Sequence, residues 1–452
     1  MITILQLLLV LGLMVLVHEF GHFAVAKLCG VRVETFAIGF GKRLVGFRRN
    51  GTDYQINALP LGGYVKMAGE IPGEEVSNDP GELNNHPRWQ RMLIALAGPV
   101  ANFILAFGLM TGAYMLHNEV NEAFSGPAVT DYISPASPVA TTGIHTGDTI
   151  VHFDSVENPS WEDVFNHSAL NPNQTIPFSY LHDGKRTDTT FYLKFKDSAD
   201  KFTLDSAIAL GLVPKEQNTP LRVSSPTADG PAGRAGLKPN DQIVSIDGLA
   251  IRSVPALLWY LQDQKGKPAL LQILRDGQPL ALAVTPEMSD SGDGTKAYHL
   301  GFRAMEPPVK VEQLSFSKSL VASLTFSRKN SLLIVDVLKG MFERHISVKS
   351  LSGPIGIGQA VHEAAQMPGW MPLIGTMAAI SINLGMLNLL PFPILDGGMI
   401  FFLLIESIMG RDFPMQWKER IYQVAFVCIV LFAVMVIFND ITKLPFFVKL
   451  KS

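Results

Sequence analysis

The sequence predicts a multi-pass α-helical membrane protein with about four transmembrane helices, a membrane-associated β-hairpin region and two extracytoplasmic α+β domains. The first observation is the composition: 47% of the 452 residues are hydrophobic and 17% are charged, whereas soluble proteins carry about 25% charged residues. The second is a set of four long apolar segments, and the third is an internal repeat. The net charge of −3 gives no indication of a nucleic-acid partner.

Four apolar segments are long enough to cross a bilayer, which takes about 20 helical residues. They are 2–28, 92–116, about 371–391 and about 421–438. A shorter apolar piece, 399–405, is expected to form a half-buried helix. The first segment lacks the basic start and the small-residue cleavage site of a signal peptide, so we expect it to be retained.

The basic residues predict how these segments are oriented. Lysine and arginine concentrate between the first two segments and again at 411–420, between the last two. Cytoplasmic loops carry the excess of these residues, so both loops are predicted to be cytoplasmic. Both termini and the stretch 117–370 then lie outside, although Lys443, Lys449 and Lys451 indicate the opposite orientation.

The exterior region contains an internal repeat with an offset of 93 residues. SPVATTGIHTGDTIVHFDSVE (137–157) aligns with GPAGRAGLKPNDQIVSIDGLA (230–250). The pattern predicts a short helix, a strand, a turn, a helix and a hairpin in each copy, and a closing strand at LGL (210–212) and LGF (300–302). A repeat of this length indicates a domain duplication, because solenoid repeats are shorter, at about 20–50 residues.

Both copies resemble the PDZ domain, and GLKPNDQIVSIDG, from Gly236, carries the resemblance best. We expect one such domain at 127–215 and a second at 220–306. PDZ domains bind extended peptides at a sheet edge, so peptide tails are candidate ligands. Spacers without a ligand are the alternative.

The rest of the chain divides around these copies. Residues 1–116 are the predicted first membrane half, with a β region on the cytoplasmic side at 42–67. Residues 315–367 are a helical connector, in which 315–343 has the spacing of an amphipathic helix that lies on the outer membrane surface or against the two copies of the repeat. Residues 368–452 are the second membrane half.

Three ionisable residues interrupt the first apolar segment in VLVHEFGHFA (15–24). His18 and His22 are four residues apart, so on a helix both imidazoles lie on one face, as two ligands of one Zn²⁺ do. Glu19 lies beside them and is within reach of a water molecule at the metal. A carboxylate in the middle of a membrane helix costs about 2.5–3.5 kcal/mol on insertion scales, which favours a functional site over a polar patch that only joins helices.

A zinc site with one open position needs a third protein ligand. The metzincin pattern does not supply it, because Val25 and Leu28 stand where its glycine and third histidine would be. Asp396, in NLLPFPILDGG (388–398), is the better candidate, since it is a second carboxylate in an apolar stretch. Glu34 remains the alternative.

Three motifs together resemble the site-2 proteases, which are intramembrane zinc metalloproteases. They are HEFGH in the first segment, GPVAN (98–102) in the second and NLLPFPILDGG (388–398) in the third. FAIGFGKRL (36–44), LPLGGYVKMAGE (59–70) and the two PDZ-like copies resemble the bacterial branch typified by the regulator of sigma-E protease. Met399 departs from the histidine that many members have there.

The resemblance implies roles for particular residues. His18, His22 and Asp396 would hold Zn²⁺, and Glu19 would act as the catalytic base. Asn388 would hydrogen-bond the substrate backbone or the oxyanion, with helix capping as the alternative reading.

The resemblance also implies substrates and a location. The substrates would be transmembrane segments of single-span proteins, such as an anti-sigma factor already trimmed outside, and signal-peptide remnants. The enzyme would lie in the bilayer of the bacterial inner membrane, with periplasmic PDZ domains acting as a size filter and the active site toward the cytoplasmic side.

A transmembrane substrate must unwind before cleavage, because helical peptide bonds are shielded and bare backbone groups in lipid cost several kcal/mol each. The region 42–67 is predicted to form strands, with a hairpin turn at Asn50-Gly51 and a second break at Gly62-Gly63. An edge strand there would pair with the unwound substrate; a plain cytoplasmic hairpin is the alternative.

Two other classes of function, a metal transporter and an inactive scaffold, fit the sequence less well than the protease. A metal transporter would carry ionisable residues on several helices along a path, and the apolar segments contain almost none beyond the first motif and Asp396. An inactive scaffold that binds peptides would have lost Glu19 or a ligand, and all of them are present.

Overall fold

The structure, a computed structural model, describes residues 2–70, 79–120, 122–195, 204–290, 296–307, 309–347 and 351–442. The chain folds as two compact units. The membrane unit comprises Met1–Asn118, Gln313–Asp336 and Leu351–Ser452, and the duplicated unit comprises Glu119–Glu312 and Val337–Ser350.

The elements follow in chain order. The helices are α1 (Ile2–Cys29), α2 (Arg88–Leu116), α3 (Glu122–Ser125), α4 (Trp161–Leu170), α5 (Leu204–Ala209), α6 (Pro231–Arg234), α7 (Val254–Gln264), α8 (Phe316–Phe342), α9 (Pro354–Gln366), α10 (Met371–Asn388), α11 (Asp396–Met409) and α12 (Met415–Thr442). The strands are β1 (Val33–Arg49), β2 (Thr52–Met67), β3 (Asn118–Val120), β4 (Ala128–Val129), β5 (Thr149–Phe153), β6 (Val156–Glu157), β7 (Thr175–His182), β8 (Lys185–Tyr192), β9 (Leu221–Pro226), β10 (Gln242–Ile246), β11 (Ala269–Arg275), β12 (Gln278–Val284), β13 (Glu287–Asp290), β14 (Lys296–His299), β15 (Phe302–Ala304) and β16 (Lys310–Glu312).

Four of these helices are long and apolar enough to cross a membrane, which confirms the four predicted segments. They are Leu5–Cys29, Arg88–Leu116, Met371–Asn388 and Gln416–Thr442. The third ends before the predicted residue 391, because Pro391 has no N–H to continue the helix. The short apolar piece 399–405 lies inside α11. The orientation stays a prediction, and the three C-terminal lysines that oppose it lie outside the described residues.

Helices α1 and α10 both pack closely on α2. A Cβ atom added to Gly21 of α1 would lie 2.3 Å from the carbonyl oxygen of Ala97, so glycine is required there. On α10, the Ser381 hydroxyl donates to the carbonyl oxygen of Asn102 at 2.9 Å. The stretch of α2 around residues 97–102 is therefore the central contact of the membrane unit.

Strands β1 and β2 form the predicted hairpin, and the strands begin earlier than the predicted residue 42. Asn50 and Gly51 form the turn, with φ angles of 48° and 80°. Residues 35–38 pair with both 53–56 and 63–66. The hairpin thus folds into a small sheet in which 43–49 and 63–67 form the two edges. The predicted break is a bend within β2, where Gly62 has a φ of 100° and packs against α1.

The duplicated unit contains the two predicted copies. The sheet of the first copy has the order β4-β5-β7-β8, with β6 paired to β5, and the sheet of the second has the order β12-β11-β10-β9-β15. Helices α4 and α7 start 93 residues apart, at Trp161 and Val254. Each copy has its own core, with Phe153 fully buried in the first and Leu271 in the second. The sequence offset therefore corresponds to a repeated structure.

One predicted strand of the first copy is wrong. Residues 210–212 form no strand; they follow α5 in a tight turn in which Gly211 has a φ of 84°. Leu210 and Leu212 are buried in the core of the first copy. Their apolar character, which suggested a strand, reflects this burial.

The two copies are joined by buried and part-buried hydrogen bonds. The Asp131 carboxylate accepts from the Arg252 backbone N–H and from the Ser253 hydroxyl, both at 2.8 Å. The Asp263 carboxylate accepts from the Tyr132 hydroxyl at 2.8 Å. Because an unsatisfied buried carboxylate is costly, these bonds fix the two copies relative to each other.

The helix predicted over 315–343 is α8, which runs from Phe316 to Phe342. Its position, on the outer membrane surface or against the two copies of the repeat, stays a prediction. The connector continues into α9, whose first turn is held by α12: the buried Asp440 carboxylate accepts the backbone N–H groups of Gly353 and Gly356, each at 3.0 Å. A carboxylate at a helix N-terminus satisfies N–H groups that have no partner within the helix.

The stability of the duplicated unit is predicted to depend on pH through the partly buried acid Glu216. Burial and the nearby Asp131 carboxylate raise the pKa of Glu216 from 4.5 to about 7. The folded state therefore binds an extra proton between these two values, and stability falls as the pH rises from 4.5 to about 7. Glu216→Gln should stabilise the unit above this window by roughly 1–2 kcal/mol, a discounted share of about 1.4 kcal/mol per pKa unit.

Hydrogen-exchange protection of the α7 amides measures this effect. The gain should shrink as the pH falls to 4.5 and below, where wild-type Glu216 becomes protonated in both states. The exposed Asp229, changed to Asn, is the control and should give no gain. An equal gain from Glu216→Gln at both ends of the window would contradict the raised pKa.

Candidate active site

His18 and His22 lie one helical turn apart on α1 and face the same point. Both are buried, with 6% and 8% of their surface exposed. Their Nε2 atoms are 3.1 Å apart. The predicted spacing thus brings two imidazole nitrogens together inside the membrane unit.

Asp396, the first residue of α11, meets the two histidines. Its Oδ2 atom lies 3.1 Å from Nε2 of His18, and its Oδ1 atom lies 3.4 Å from Nε2 of His22. The ligand atoms of these three residues all lie within 4.8 Å of one another. The structure therefore brings an aspartate from the C-terminal part of the chain to two histidines of its first helix.

Two glycines after Asp396 let the chain turn sharply before α11. A Cβ atom on Gly397 would lie 2.2 Å from the carbonyl oxygen of Leu389, and one on Gly398 would lie 2.1 Å from that of Phe392. The turn formed by residues 389–395 is thus packed against the start of α11. This contact places the aspartate at the histidines.

Residues of helix α2 contact the Nδ1 atoms of both imidazoles, on the side of each ring opposite Nε2. Nδ1 of His22 donates to the carbonyl oxygen of Ile94 at 2.7 Å. Nδ1 of His18 lies 3.2 Å from the amide nitrogen of Asn102, whose buried Oδ1 lacks a hydrogen-bond partner among the described residues. A 180° flip of the Asn102 amide exchanges its Oδ1 and Nδ2 atoms. In the flipped orientation, Oδ1 accepts a hydrogen bond from Nδ1–H of His18. Both Nε2 atoms are then free to act as ligands.

The close approach of α2 depends on Gly98. A Cβ atom there would lie 2.3 Å from Nε2 of His22 and 2.8 Å from Cε1 of His18. Only glycine leaves room for both rings. GPVAN (98–102) therefore supplies both the clearance at Gly98 and the amide of Asn102.

The three residues line a cavity of about 340 Å³ that also contains two further carboxylates. Oε2 of Glu19 accepts the backbone N–H of Val65 at 3.0 Å. Oε2 of Glu70 accepts the backbone N–H of Met67, also at 3.0 Å. Two N–H groups on the 63–67 edge of the hairpin sheet thus bind carboxylates of the cavity.

Asn388, the last residue of α10, also lies at the site. Its amide nitrogen is 3.3 Å from Nε2 of His18, and its side chain lines the cavity. Glu34, the alternative third ligand, lies elsewhere: it is on β1 and pairs with Lys66 at 2.8 Å. Among the two carboxylates considered, only Asp396 meets the histidines.

Sequence reasoning missed two residues of this site, Asn102 and Glu70. Asn102 is fully buried in a span that otherwise has few polar residues, and that contrast could have identified it. Glu70 ends the LPLGGYVKMAGE stretch (59–70), where nothing in the spacing indicated that it would return to the histidines.

The donor set fits a zinc ion. Two imidazole nitrogens and one carboxylate form a common zinc ligand set with an open position. Oδ2 of Asp396 is itself shielded from solvent and lies next to Nε2 of His18, and the side chain is half-buried. A divalent cation would give this carboxylate a positive partner when both imidazoles are in the neutral form that binds metal.

Comparison with known proteins identifies the family of the chain. The sequence profile of peptidase family M50 matches residues 6–432. A regulator of sigma E protease of Salmonella typhi is 33% identical over 96% of this chain and 97% of the relative. The regulator of sigma-E protease RseP of Escherichia coli (strain K12) is 34% identical, and a putative zinc metalloprotease of Vibrio cholerae is 32% identical, with the same coverage.

The chain belongs to peptidase family M50, the site-2 protease family, which confirms the resemblance seen in its motifs. It is a zinc metalloprotease, and the described part of the chain contains four helices long and apolar enough to cross a membrane. Its relatives of regulator-of-sigma-E type match it over nearly the whole chain.

The contact at Gly98 generates a prediction with a matched control. Gly98→Ala should displace one imidazole and weaken zinc binding by about 10–100-fold, the usual effect of disturbing groups that support ligands. Gly108→Ala, in the same helix, adds a methyl that would meet no described atom within 4 Å outside its own stretch of the helix, and it should bind zinc like the wild type. Zinc competition with a chelator measures the difference, and equal affinities of the two variants would contradict the geometry.

Proposed function

We propose that the protein is a zinc-dependent intramembrane endopeptidase that cleaves transmembrane segments of single-span membrane proteins. The observation that carries this proposal is the convergence of His18, His22, Asp396 and Glu19 in one cavity of the membrane unit. Its setting is the bacterial inner membrane, with the active site toward the cytoplasmic side, in line with the basic loops at that side.

His18, His22 and Asp396 are the proposed metal ligands. Bound Zn²⁺ would supply Lewis-acid polarisation of a peptide carbonyl and would acidify a water molecule. Ile94 and Asn102 orient the two rings through their Nδ1 atoms, so that Nε2 of each faces the cavity. A fixed ring orientation keeps the ligand geometry from relaxing when substrate enters.

Glu19 is the proposed general base. Its carboxylate lies on the same helical turn as the histidines and lines the same cavity. It would accept the proton of the attacking water and then deliver it to the leaving amine. Asn388 would donate its amide N–H to the substrate backbone or to the developing oxyanion, because it lies beside His18 at the cavity wall.

The 63–67 edge of the hairpin sheet is the proposed docking strand for the unwound substrate. The N–H groups of Val65 and Met67 point away from β1 toward the cavity, where Glu19 and Glu70 bind them. Successive outward N–H groups two residues apart are what an added strand pairs with. Substrate carbonyl groups would replace the carboxylates, and this exchange would release Glu19 for catalysis.

The relatives' names support a substrate class. Proteins named as regulators of sigma E are regulatory proteases, and we propose an equivalent role for this chain. Its substrate would be a single-span anti-sigma factor already trimmed outside the membrane. Signal-peptide remnants are single apolar helices too and belong to the same class.

The two copies of the duplicated unit, at 127–215 and 220–306, are proposed to be PDZ domains that act as a size filter. Each has its own sheet, helix and core. Two folded bodies of this length, each ~25–30 Å across by the compactness rule, exclude a substrate with a bulky exterior domain. Binding of a peptide tail at a sheet edge is a second role for them.

The proposed catalytic role of Glu19 predicts a separation of binding from chemistry. Glu19→Gln should bind zinc fully, since no ligand is lost, yet reduce cleavage by more than about 100-fold, the scale of general-base catalysis. The assay is cleavage of a single-span substrate in proteoliposomes, with the zinc content measured in the same samples. Retained turnover would exclude Glu19 as the base, and failure of the wild type to cleave any single-span substrate would refute the proposed function.

The proposed size filter predicts a dependence on substrate length. Deletion of about 128–305 should leave cleavage of a short-tailed substrate intact and should allow cleavage of the untrimmed form. The decisive comparison is one substrate in two lengths with the full and the shortened enzyme. Continued rejection of the long form by a correctly inserted shortened enzyme would refute the filter, whereas loss of both activities would assign the copies to binding or folding.

A further inference from the structure

The two copies differ in how they neutralise the same buried carboxylate. Asp148 in the first copy and Asp241 in the second are 93 residues apart and are 4% and 1% exposed. Each accepts the backbone N–H of the residue three positions earlier, His145 at 2.8 Å and Lys238 at 2.7 Å. The carboxylate is therefore a shared feature of the turn that leads into β5 and β10.

In the second copy, a permanent cation pairs with this carboxylate. Nε of Arg275 donates to Oδ1 of Asp241 at 2.8 Å, and its Nη2 donates to Oδ2 at 2.7 Å. This bidentate arrangement is the strongest common pairing of a guanidinium with a carboxylate. It explains how Asp241 can be buried without a large penalty.

In the first copy, imidazoles occupy the positions of both basic residues. His182 stands where the second copy has Arg275, and its Nδ1 lies 2.7 Å from Oδ1 of Asp148. His145 stands where the second copy has Lys238, and its ring centroid is 4.8 Å from that of His182. Nδ1 of His145 lies 4.0 Å from Oδ2 of Asp148.

We propose that His145, Asp148 and His182 form a second zinc site, separate from the catalytic one, on the surface of the first copy. One ligand atom from each residue lies within 4.8 Å of the others. Two imidazoles and one carboxylate are ligands that zinc prefers, and the exposure of both histidines leaves further positions to water.

Charge favours the ion at this position. A divalent cation gives the buried Asp148 carboxylate the positive partner that Arg275 gives to Asp241. The ion would tie His182, at the end of β7, to the turn before β5. Zinc would therefore stabilise the first copy, because a ligand that binds only the folded state raises its stability.

A transplant variant tests the site and preserves the fold. His145→Lys with His182→Arg places the second copy's residues around Asp148, so the carboxylate keeps a cationic partner while the imidazole ligands are lost. Purified full-length protein is stripped of metal, equilibrated with Zn²⁺ alone, and its metal content is measured. We expect two zinc ions per chain in the wild type and one in the transplant, with unchanged proteolysis.

Two further variants keep the test independent of the catalytic site and of folding. His22→Ala should lose the catalytic zinc and still bind one equivalent of Zn²⁺ in a calorimetric titration. This equivalent should disappear when His145→Lys and His182→Arg are introduced into the same chain. His22→Ala combined with His182→Gln, whose neutral side chain can still donate a hydrogen bond to Asp148, should lose it as well. His152→Gln is the control: His152 pairs with Glu157 at 3.0 Å in the same copy and should retain it.

Equal zinc content of the wild type and the transplant, or equal titrations of His22→Ala with and without it, would overturn the proposal. These outcomes leave the proteolytic function untouched, since His145, Asp148 and His182 take no part in the proposed cleavage.

Discussion

The membrane unit depends on how three ionisable side chains are accommodated in apolar surroundings. His18, His22 and Asp396 lie in helices that are mostly apolar, where a charged residue costs about 2.5–3.5 kcal/mol on insertion scales. Their ligand atoms lie within 4.8 Å of one another, where one cation would bind all three and offset this cost. The contact of Asp396 with the two histidines joins α11 to α1, and residues of α2 contact the Nδ1 atoms on the opposite side of both imidazoles.

Close approach of backbones makes this convergence possible. Membrane helices pack through small residues, because lipid offers no hydrophobic gain for bulky contacts. Gly21 lets α1 reach α2, Gly98 leaves space for both imidazoles, and Gly397 lets the 389–395 turn fold against α11. The same approach opens a cavity in which the hairpin edge meets Glu19. One cavity is therefore lined by the proposed metal ligands, the proposed base and the proposed substrate-binding strand.

Sequence patterns predicted the features that depend on local periodicity. Apolar length gave the four spans, a four-residue spacing gave the pairing of His18 with His22, and a fixed offset gave the duplication. Asp396 was predicted as a ligand because the zinc site lacked a third ligand and this carboxylate had no other explanation in an apolar stretch. Features set by tertiary contact were missed: Glu70 reaches the cavity only through the pairing of β2, and Asn102 through the packing of α2 on α1. Apolar residues of the first copy were likewise misassigned to a strand, because burial alone does not distinguish a strand from a packed turn.

The most direct test of the central claim is X-ray absorption spectroscopy at the zinc edge, with metal content, on the chain carrying His145→Lys and His182→Arg. These changes remove the proposed surface site, so the signal comes from the membrane unit. We expect one zinc ion with nitrogen and oxygen ligands at about 2.0–2.2 Å, scattering from two imidazoles, and a loss of zinc when Asp396 is changed to Asn. A sulfur ligand at about 2.3 Å, or full zinc content in the Asp396→Asn protein, would contradict it.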